Sequence, residues 1–410
     1  MSGPASPSGP RHSDLASAAP VGQRDIRTSP LASVCSEIGR GHPSYLDSVL
    51  LALAHLRPGE PAIPCLTVPQ LCTGTSGLAW SLARTAYLLG SQGGPATWLY
   101  NHLRSADSKP SGLQLALLGS SLRRTFAGYD GICIVDHPLL ARILAPVCRV
   151  AYLHCETAAP GLAAVPNAWR TLVPLQATSV KLQARRVDAE ALTVTGLIIE
   201  PELVTVAETS YTARLQRLQS ERPLTVGLFI SGARPRPHVN RIVTCVESLA
   251  MSGHKSILFW GPGMFRAVQL QADLVRRGVP EEAARVIWSR HRRDETTRTA
   301  GLFPDLDVMV AAAHERTNWA VGLGLPMFAL LPHIGPFARE NFEFAFAQEV
   351  CLPVSTEAAA SSFGPALDAL RRDGALAAMA RAGWGKHAIN GAEAAARLLR
   401  SAAAQAQPSM

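Results

Sequence analysis

Between Leu31 and Leu331 the chain alternates short apolar runs with helix-patterned stretches, and it does so in two successive series. Runs such as Gly131–Val135 and Leu224–Ile230 are apolar throughout, the habit of strands buried on both faces of a helix-covered parallel sheet. The first series predicts strands at Leu31–Cys35, Gly131–Val135, Arg149–Leu153, Thr171–Pro174 and Leu192–Gly196, with helices at Pro43–Leu56, Leu113–Thr125 and Leu139–Leu144. The second predicts strands at Leu224–Ile230, Ser256–Trp260, Arg285–Trp288, Val308–Ala311 and Met327–Leu331, with helices at Asn240–Met251, Phe265–Arg277 and Trp319–Leu323. Two such series imply an α/β protein of two Rossmann-like, doubly wound domains facing across a cleft. A polar, helix-compatible stretch, Ala213–Glu221, lies between them. The expected division is a disordered tail over 1–28, a first domain over 29–205, a linker over 206–222, a second domain over 223–385, and a C-terminal helix and tail over 386–410.

Composition narrows the class. A chain of 410 residues with 47% hydrophobic and 17% charged residues has apolar material for two cores. Its net charge of +8 comes largely from scattered Arg, with no dense basic run interleaved with aromatics, so nucleic acid is not an expected partner. Arg-rich codon usage and attraction to anionic lipid or phosphate both remain open as its source. The eight cysteines form no C-x-x-C pair and no zinc spacing, and most sit in apolar runs such as Ile132-Cys133-Ile134-Val135. No metal site and no disulfide framework are expected, and a reducing, cytoplasmic setting is. The Ser-, Pro-, Gly- and Ala-rich first 28 residues lack the apolar core of a secretory signal. No uncharged apolar run reaches the roughly 20 residues of a membrane span.

The chemistry-bearing stretches fall after predicted strands. Ser36-Glu37-Ile38-Gly39-Arg40-Gly41-His42 is a glycine-bearing turn opening a helix, where free backbone N–H groups face a ligand and an imidazole is available for proton transfer. His42 is the candidate base, with Glu37 beside it; the competing reading is a loop histidine bonded to backbone. Glu156, after the strand Arg149–Leu153, is a second carboxylate that could orient an imidazole or simply be exposed. Glu315, Arg316, Thr317 and Asn318 form a polar cluster at a helix start, suited to phosphate or sugar contact and equally to helix capping. Ser231-Gly232-Ala233-Arg234 is a stiff loop after a buried strand, suited to an anion or to a plain turn. Asn341 closes a ligand-facing loop that starts at His333. The segment from Gly77 to Arg104 is rich in Trp, Tyr and Leu, which fits either a buried helical pair or a face lying on lipid.

In this order the motifs resemble the GT-B glycosyltransferases, specifically the group holding the monogalactosyldiacylglycerol synthases and the lipid II N-acetylglucosaminyltransferase. Gly39-Arg40-Gly41-His42 is similar to that group's Gly-rich loop with its functional His. Trp80 to Leu103, ending Trp98-Leu99-Tyr100-Asn101-His102-Leu103, resembles its aromatic, membrane-facing region, Val135-Asp136-His137-Pro138-Leu139-Leu140 its "THPLL" turn, and Val173-Pro174 with Val194-Thr195-Gly196 and Pro201 the segment closing its first domain. Ser231-Gly232-Ala233 falls at the diphosphate loop, Gly324-Leu325-Pro326 at the "GLP" turn and Asn341 near the sugar-contacting Gln or Asn. The match departs at Trp319, where the family has a ribose-binding Glu, at Arg316, where it has Thr, at Ala313-His314, where it has a Gly pair, and at Arg40, where Gly is usual.

The resemblance implies an enzyme moving a sugar, with inversion, from a nucleotide-diphosphate sugar, a UDP-sugar among the candidates, to a hydroxyl acceptor on a lipid. It implies no tightly held cofactor or metal, and peripheral contact with the cytoplasmic face of a membrane. His42 and Glu37 would be catalytic; Ser231, Gly232, Arg234, Glu315, Arg316, Thr317, Asn318 and Asn341 would hold the donor; Gly41, Asp136, His137 and Glu156 would hold the acceptor. The alternatives are a non-catalytic nucleotide-binding scaffold, favoured by Trp319, and a nucleotide-sugar 2-epimerase. An epimerase needs several carboxylates round the sugar, for which Glu37, Glu156 and Glu315 are available.

Overall fold

The computed structural model describes residues 26–103 and 110–406; the expected tail up to residue 25 and Arg104 lie outside the described residues. The first domain carries β1 (Leu31–Cys35), α1 (Gly41–Leu56), β2 (Cys65–Thr67), α2 (Val68–Leu71), α3 (Gly74–Gly90), α4 (Gly94–Leu103) and α5 (Gly112–Phe126). β3 (Ile132–Val135), α6 (Pro138–Leu144), β4 (Arg149–Leu153), β5 (Arg170–Val173), α7 (Gln176–Ala184) and β6 (Leu192–Val194) complete its sheet. Two helices follow, α8 (Pro201–Thr205) and α9 (Ala207–Leu218). The second domain runs β7 (Thr225–Phe229), α10 (Arg236–Met251), β8 (Lys255–Pro262), α11 (Met264–Arg276), β9 (Ala284–Ser289), α12 (Arg292–Leu302), β10 (Val308–Ala311) and α13 (Thr317–Leu323). It ends with β11 (Met327–Leu330), α14 (Ala338–Ala347), β12 (Cys351–Val354), α15 (Glu357–Ser361), α16 (Phe363–Arg372) and α17 (Ala375–Ala382), and the chain closes on α18 (Gly391–Ala406).

Both sheets have six strands, in the orders β2-β1-β3-β4-β5-β6 and β12-β11-β10-β7-β8-β9, and every pairing is parallel. The predicted alternation is therefore met by two doubly wound domains. Each sheet reverses its winding once, between β1 and β3 in the first and between β7 and β10 in the second. At such switch points the loops leaving the strand ends part and make a crevice for ligands. The central strands β1, β3, β7, β10 and β11 are buried almost throughout, so each is apolar on both faces.

Several expectations shift in detail. Edge strands β2 and β12 add to the expected set; Pro64 flanks the first and Pro353 lies inside the second, and on an edge Pro costs no ladder bond. α10 begins at Arg236 rather than Asn240, since Pro237 fits the first turn, where its missing N–H is not needed. The segment expected as a linker carries α9, and its fully buried Arg214 donates from Nε to the carbonyl of Leu306 (2.8 Å) and from Nη1 to those of Leu323 (2.9 Å) and Gly324 (3.1 Å). After the second domain the chain returns, and α18 packs on α1 of the first. The return strand and the forward one touch: Leu197 N–H donates to Ala388 O (2.8 Å) and Gly391 N–H to Leu197 O (3.0 Å).

The aromatic segment is neither wholly buried nor wholly exposed. Trp80 is core, its Nε1 donating to Leu118 O at 2.9 Å. Leu82, Leu89, Trp98 and Leu99 on α3 and α4 stand 62%, 62%, 68% and 49% exposed. Among the described residues no helix is long and apolar enough to cross a membrane.

Candidate functional site

The two switch points face one another. Loops after β1, β3 and β4 meet loops after β7, β10 and β11, and between them lies a compartment with ≈ 100 Å³ of room for water. Gly41, His42, His137 and Glu156 line it from the first domain; Ser231, Gly232, His314, Glu315 and Phe337 line it from the second. Past Gly39, Arg40, Tyr87 and Gly232, which border both spaces, it continues into a wider cavity of ≈ 500 Å³ walled by Arg84, Arg234, Trp260, Arg290 and Arg292.

His42 is the second residue of α1, held by edge contacts with the rings of His137 (5.1 Å) and Phe337 (5.4 Å). Its Nδ1 is buried without a hydrogen-bond partner. Burial, reinforced by the neighbouring His314, lowers its pKa to about 4, so the imidazole is neutral near pH 7 and keeps one ring nitrogen able to accept a proton. Gly41 is small of necessity, because a Cβ there would lie 2.8 Å from Glu315 Oε2. Glu156 is nearly fully buried and accepts from Asn341 Nδ2 at 2.6 Å. Burial, then repulsion from Glu315, raises its pKa to about 8, which keeps it protonated at neutral pH. Glu315 is held the other way: despite burial, Arg316 beside it (2.6 Å) and His314 push its pKa below the ordinary carboxylate value. The compartment thus joins a neutral imidazole, a neutral carboxyl and an ionised carboxylate.

Charge in the wider cavity is unbalanced. Arg40 is paired with Glu295, and Arg292 with Asp47 (2.6 Å) and Glu37 (3.6 Å). Among the described residues Arg84, Arg234 and Arg290 have no carboxylate partner; Arg234 donates to Pro262 O and stacks on Trp260 at 4.7 Å. Arg40 reaches this cavity by threading between Gly232 and Gly261, where added Cβ atoms would come within 2.9 Å and 2.8 Å of its side chain.

The structure sorts the sequence candidates. His42, Gly41, His137, Glu156, Ser231, Gly232 and Glu315 come together in the compartment. Glu37 was expected beside His42; instead it turns to Cys35 Sγ (3.4 Å) and Arg292, with φ of 52° carrying its side chain away. Asp136 was expected to face the acceptor, but it is fully buried and spends both oxygens on Ser36 N–H (3.0 and 3.2 Å) and Ser36 Oγ (3.1 Å), bracing the His42 loop. Four expected donor contacts also point elsewhere. Arg316 is sandwiched between Glu295 and Glu315 and lies over the rings of Phe229 (4.5 Å) and Trp319 (5.2 Å). Thr317 is buried at the start of α13. Asn318 donates to the carbonyls of Cys155 and Ile198, both at 3.2 Å, and Asn341 bridges Thr157, Ala158 and Glu156. The two asparagines are consumed by the seam between domains, where each buried amide needs a partner, while Arg316 is held within the second domain. His137 also caps α6, Nδ1 accepting from Leu139 N–H at 3.2 Å.

Sequence reasoning missed His314, Glu295, Arg290 and Arg292. The last three belong to the run Ser289-Arg290-His291-Arg292-Arg293-Asp294-Glu295, which reads as a solvated helix start. Its signal was position, directly after a strand of the second sheet.

No family model matches the chain, and no curated protein matches it in sequence. Solved structures match it in shape. A putative UDP-N-acetylglucosamine 2-epimerase from Listeria monocytogenes is 13% identical, with a TM-score of 0.54 over 92% of this chain and 97% of that one. LpCGTa in complex with UDP is 12% identical, with a TM-score of 0.52 over 93% and 100%. The UDP-GlcNAc 2-epimerase of Methanocaldococcus jannaschii, in complex with UDP-GlcNAc and UDP, is 10% identical, with a TM-score of 0.52 over 91% and 99%. The shared feature is the fold: two Rossmann-like domains facing across a cleft, the GT-B arrangement.

Proposed function

We propose that this chain is a nucleotide-sugar enzyme that transfers a sugar, with inversion, to a hydroxyl acceptor. The observation that carries this reading is the cavity in which Arg84, Arg234 and Arg290 stand without carboxylate partners among the described residues and which opens onto His42. A nucleoside diphosphate carries the two or three negative charges that such a surface lacks, and guanidinium forks suit phosphate oxygens. With the diphosphate there, the sugar enters the compartment past Arg40 and Gly232. The acceptor oxygen then bonds to the anomeric carbon as the bond from that carbon to the phosphate oxygen breaks; the hydroxyl proton passes to neutral His42 and the electron pair leaves on the diphosphate. Arg84, Arg234 and Arg290 stabilise the charge that develops on the leaving group. His137 and Phe337 hold the imidazole at its angle.

A lipid acceptor is supported by the exposed Leu82, Leu89, Trp98 and Leu99 on the same helices whose Tyr87 and Tyr100 line the compartment. Such a face with adjacent Arg suits peripheral contact with an anionic bilayer, on the cytoplasmic side if the thiols stay reduced. Kinship with the diacylglycerol- and lipid II-acting group rests on the sequence stretches alone. A specific observation favours the 2-epimerase as second reading: Glu156 and Glu315 both line the space with His42 and His314.

One experiment separates the readings. UDP-GlcNAc, UDP-glucose and UDP-galactose are titrated calorimetrically, then incubated alone and with short-chain diacylglycerol while UDP release and sugar configuration are followed. Arg290→Glu is expected to weaken nucleotide binding at least tenfold. His42→Ala is expected to keep binding and lose turnover by about 10²–10⁴-fold. Epimer formed without acceptor selects the second reading, binding without any turnover selects a scaffold, and no binding of any of the three overturns the proposal.

A further inference from the structure

Beside the compartment, and bordering the cation-rich cavity at Glu37 and Arg84, the first domain holds a third space of ≈ 370 Å³ between the β1–α1 loop, α2 and α3. Its size falls in the roughly 300–1,000 Å³ range of ligand sites. One face of α3 walls it: Gly77, Trp80, Ser81 and Arg84 border this space, and Arg84, Tyr87 and Leu88 border the cation cavity, the spacing of a single helical stripe. Ile38 lines both this space and the compartment of His42.

The floor is apolar by construction. Val68 and Trp80 are 2% and 5% exposed, and the indole N–H of Trp80 is already bonded to Leu118 O, so it offers the cavity only ring carbon. The Cys72 thiol is buried and kept neutral by that burial. Polar atoms lie at the rim, from the exposed Thr73 and Ser81, with Arg84 and Glu37 on the side toward the cleft. The joint of α2 and α3 is fixed, since a Cβ on Gly77 would stand 2.7 Å from Cys72 O. An apolar slot with a hydroxyl-bonding rim that abuts the reaction space matches a molecule whose chain is apolar and whose end is a hydroxyl.

We propose that this cavity holds the apolar chain of an alcohol acceptor, the chain lying against Val68 and Trp80 and the hydroxyl passing Ile38 to His42. This assignment rests on the transferase reading and names its acceptor class, a hydroxyl-terminated chain.

The test uses the full-length chain and a decanol carrying a diazirine on its distal carbon. After irradiation, adducts are mapped by peptide mass spectrometry and UDP-GlcNAc binding is measured on the same samples. Adducts are expected to concentrate in residues 68–84. They should fall at least tenfold in Ser81→Trp and in Pro69→Trp, two independent fillings from exposed positions, and stay unchanged in Ala86→Trp, which puts the same bulk on α3 outside the cavity. Adducts spread evenly over α4, or undiminished in either filled variant that melts as wild type does, overturn the assignment. Loss of nucleotide binding in the wild type would instead count against the transferase reading, leaving the labelling result to decide the cavity by itself.

Discussion

Within the compartment, burial sets protonation in opposite senses for an imidazole and a carboxyl. His42 is pushed down to about 4 and Glu156 up to about 8, so both are uncharged near pH 7. The linkage has a definite sign. A carboxyl whose folded pKa exceeds its unfolded value of about 4.5 binds more protons in the native state between those values, so stability falls as pH rises from 4.5 toward 8. Glu156→Gln removes that loss. Urea midpoints at pH 5, 7 and 9 should fall less steeply for the variant than for wild type, and parallel falls would refute the assigned pKa. The buried histidines act oppositely: His42, His154 and His238, each lowered to about 4, cost stability as pH drops from 6.5. Residue identity told where an imidazole and carboxyls would gather, because Gly41-His42 and Glu156 follow strands. It did not tell which polar residues would be spent on the seam: Asn318 and Asn341 look the same in a sequence whether an amide meets a sugar or a backbone carbonyl.

Among the elements, α13 forms where a helix was expected, at Trp319–Leu323, but its side chains serve packing. It is seven residues long and wholly buried, and Trp319 fills the position where the resembling family places a ribose-binding acid. Its indole meets the edges of Phe229 (5.4 Å) and Phe303 (5.9 Å) and donates from Nε1 to Glu200 Oε2 at 2.9 Å. A short helix with no exposed face is held by packing rather than by its own turns. Trp319→Ala should therefore cost about 3–5 kcal/mol in urea unfolding. A loss below about 1 kcal/mol would mean that the rings of Phe229 and Phe303 close over the space. The strands and the long helices were legible because period-2 and period-3.6 patterns report burial locally. The packing of α9 and α12 was not legible because their partners are remote in sequence: Arg214, in the expected linker, finds the carbonyls of Leu306 and Leu323, and Arg292 finds Asp47.

Across the whole molecule, ion pairs join the two domains beside the cleft. Arg40 with Glu295 and Arg292 with Asp47 and Glu37 tie the β1–α1 turn to α12, directly beside the cavities they border. Arg292→Ala leaves two carboxylates of the first domain without their cation. Amide exchange over residues 36–44 and 290–299 should quicken about tenfold, equivalent to ~1.4 kcal/mol of local opening. Unchanged protection in both segments would show that the remaining seam contacts suffice for closure. The two-domain plan was readable because each domain repeats a complete strand–helix series. The return of the chain to the first domain was not, since α18 is an Ala-rich helix whose pattern names no partner.

That return has a mechanical consequence. The second domain is spliced into the first, and its outgoing and homecoming threads run side by side, stitched together at Leu197, Ala388 and Gly391. Twin pins on one axle allow a flap to swing but resist twisting about the long direction. Two crossings fastened to each other restrain relative twist of the domains more than a single thread would, and that restraint acts on the gap between His42 and Glu315.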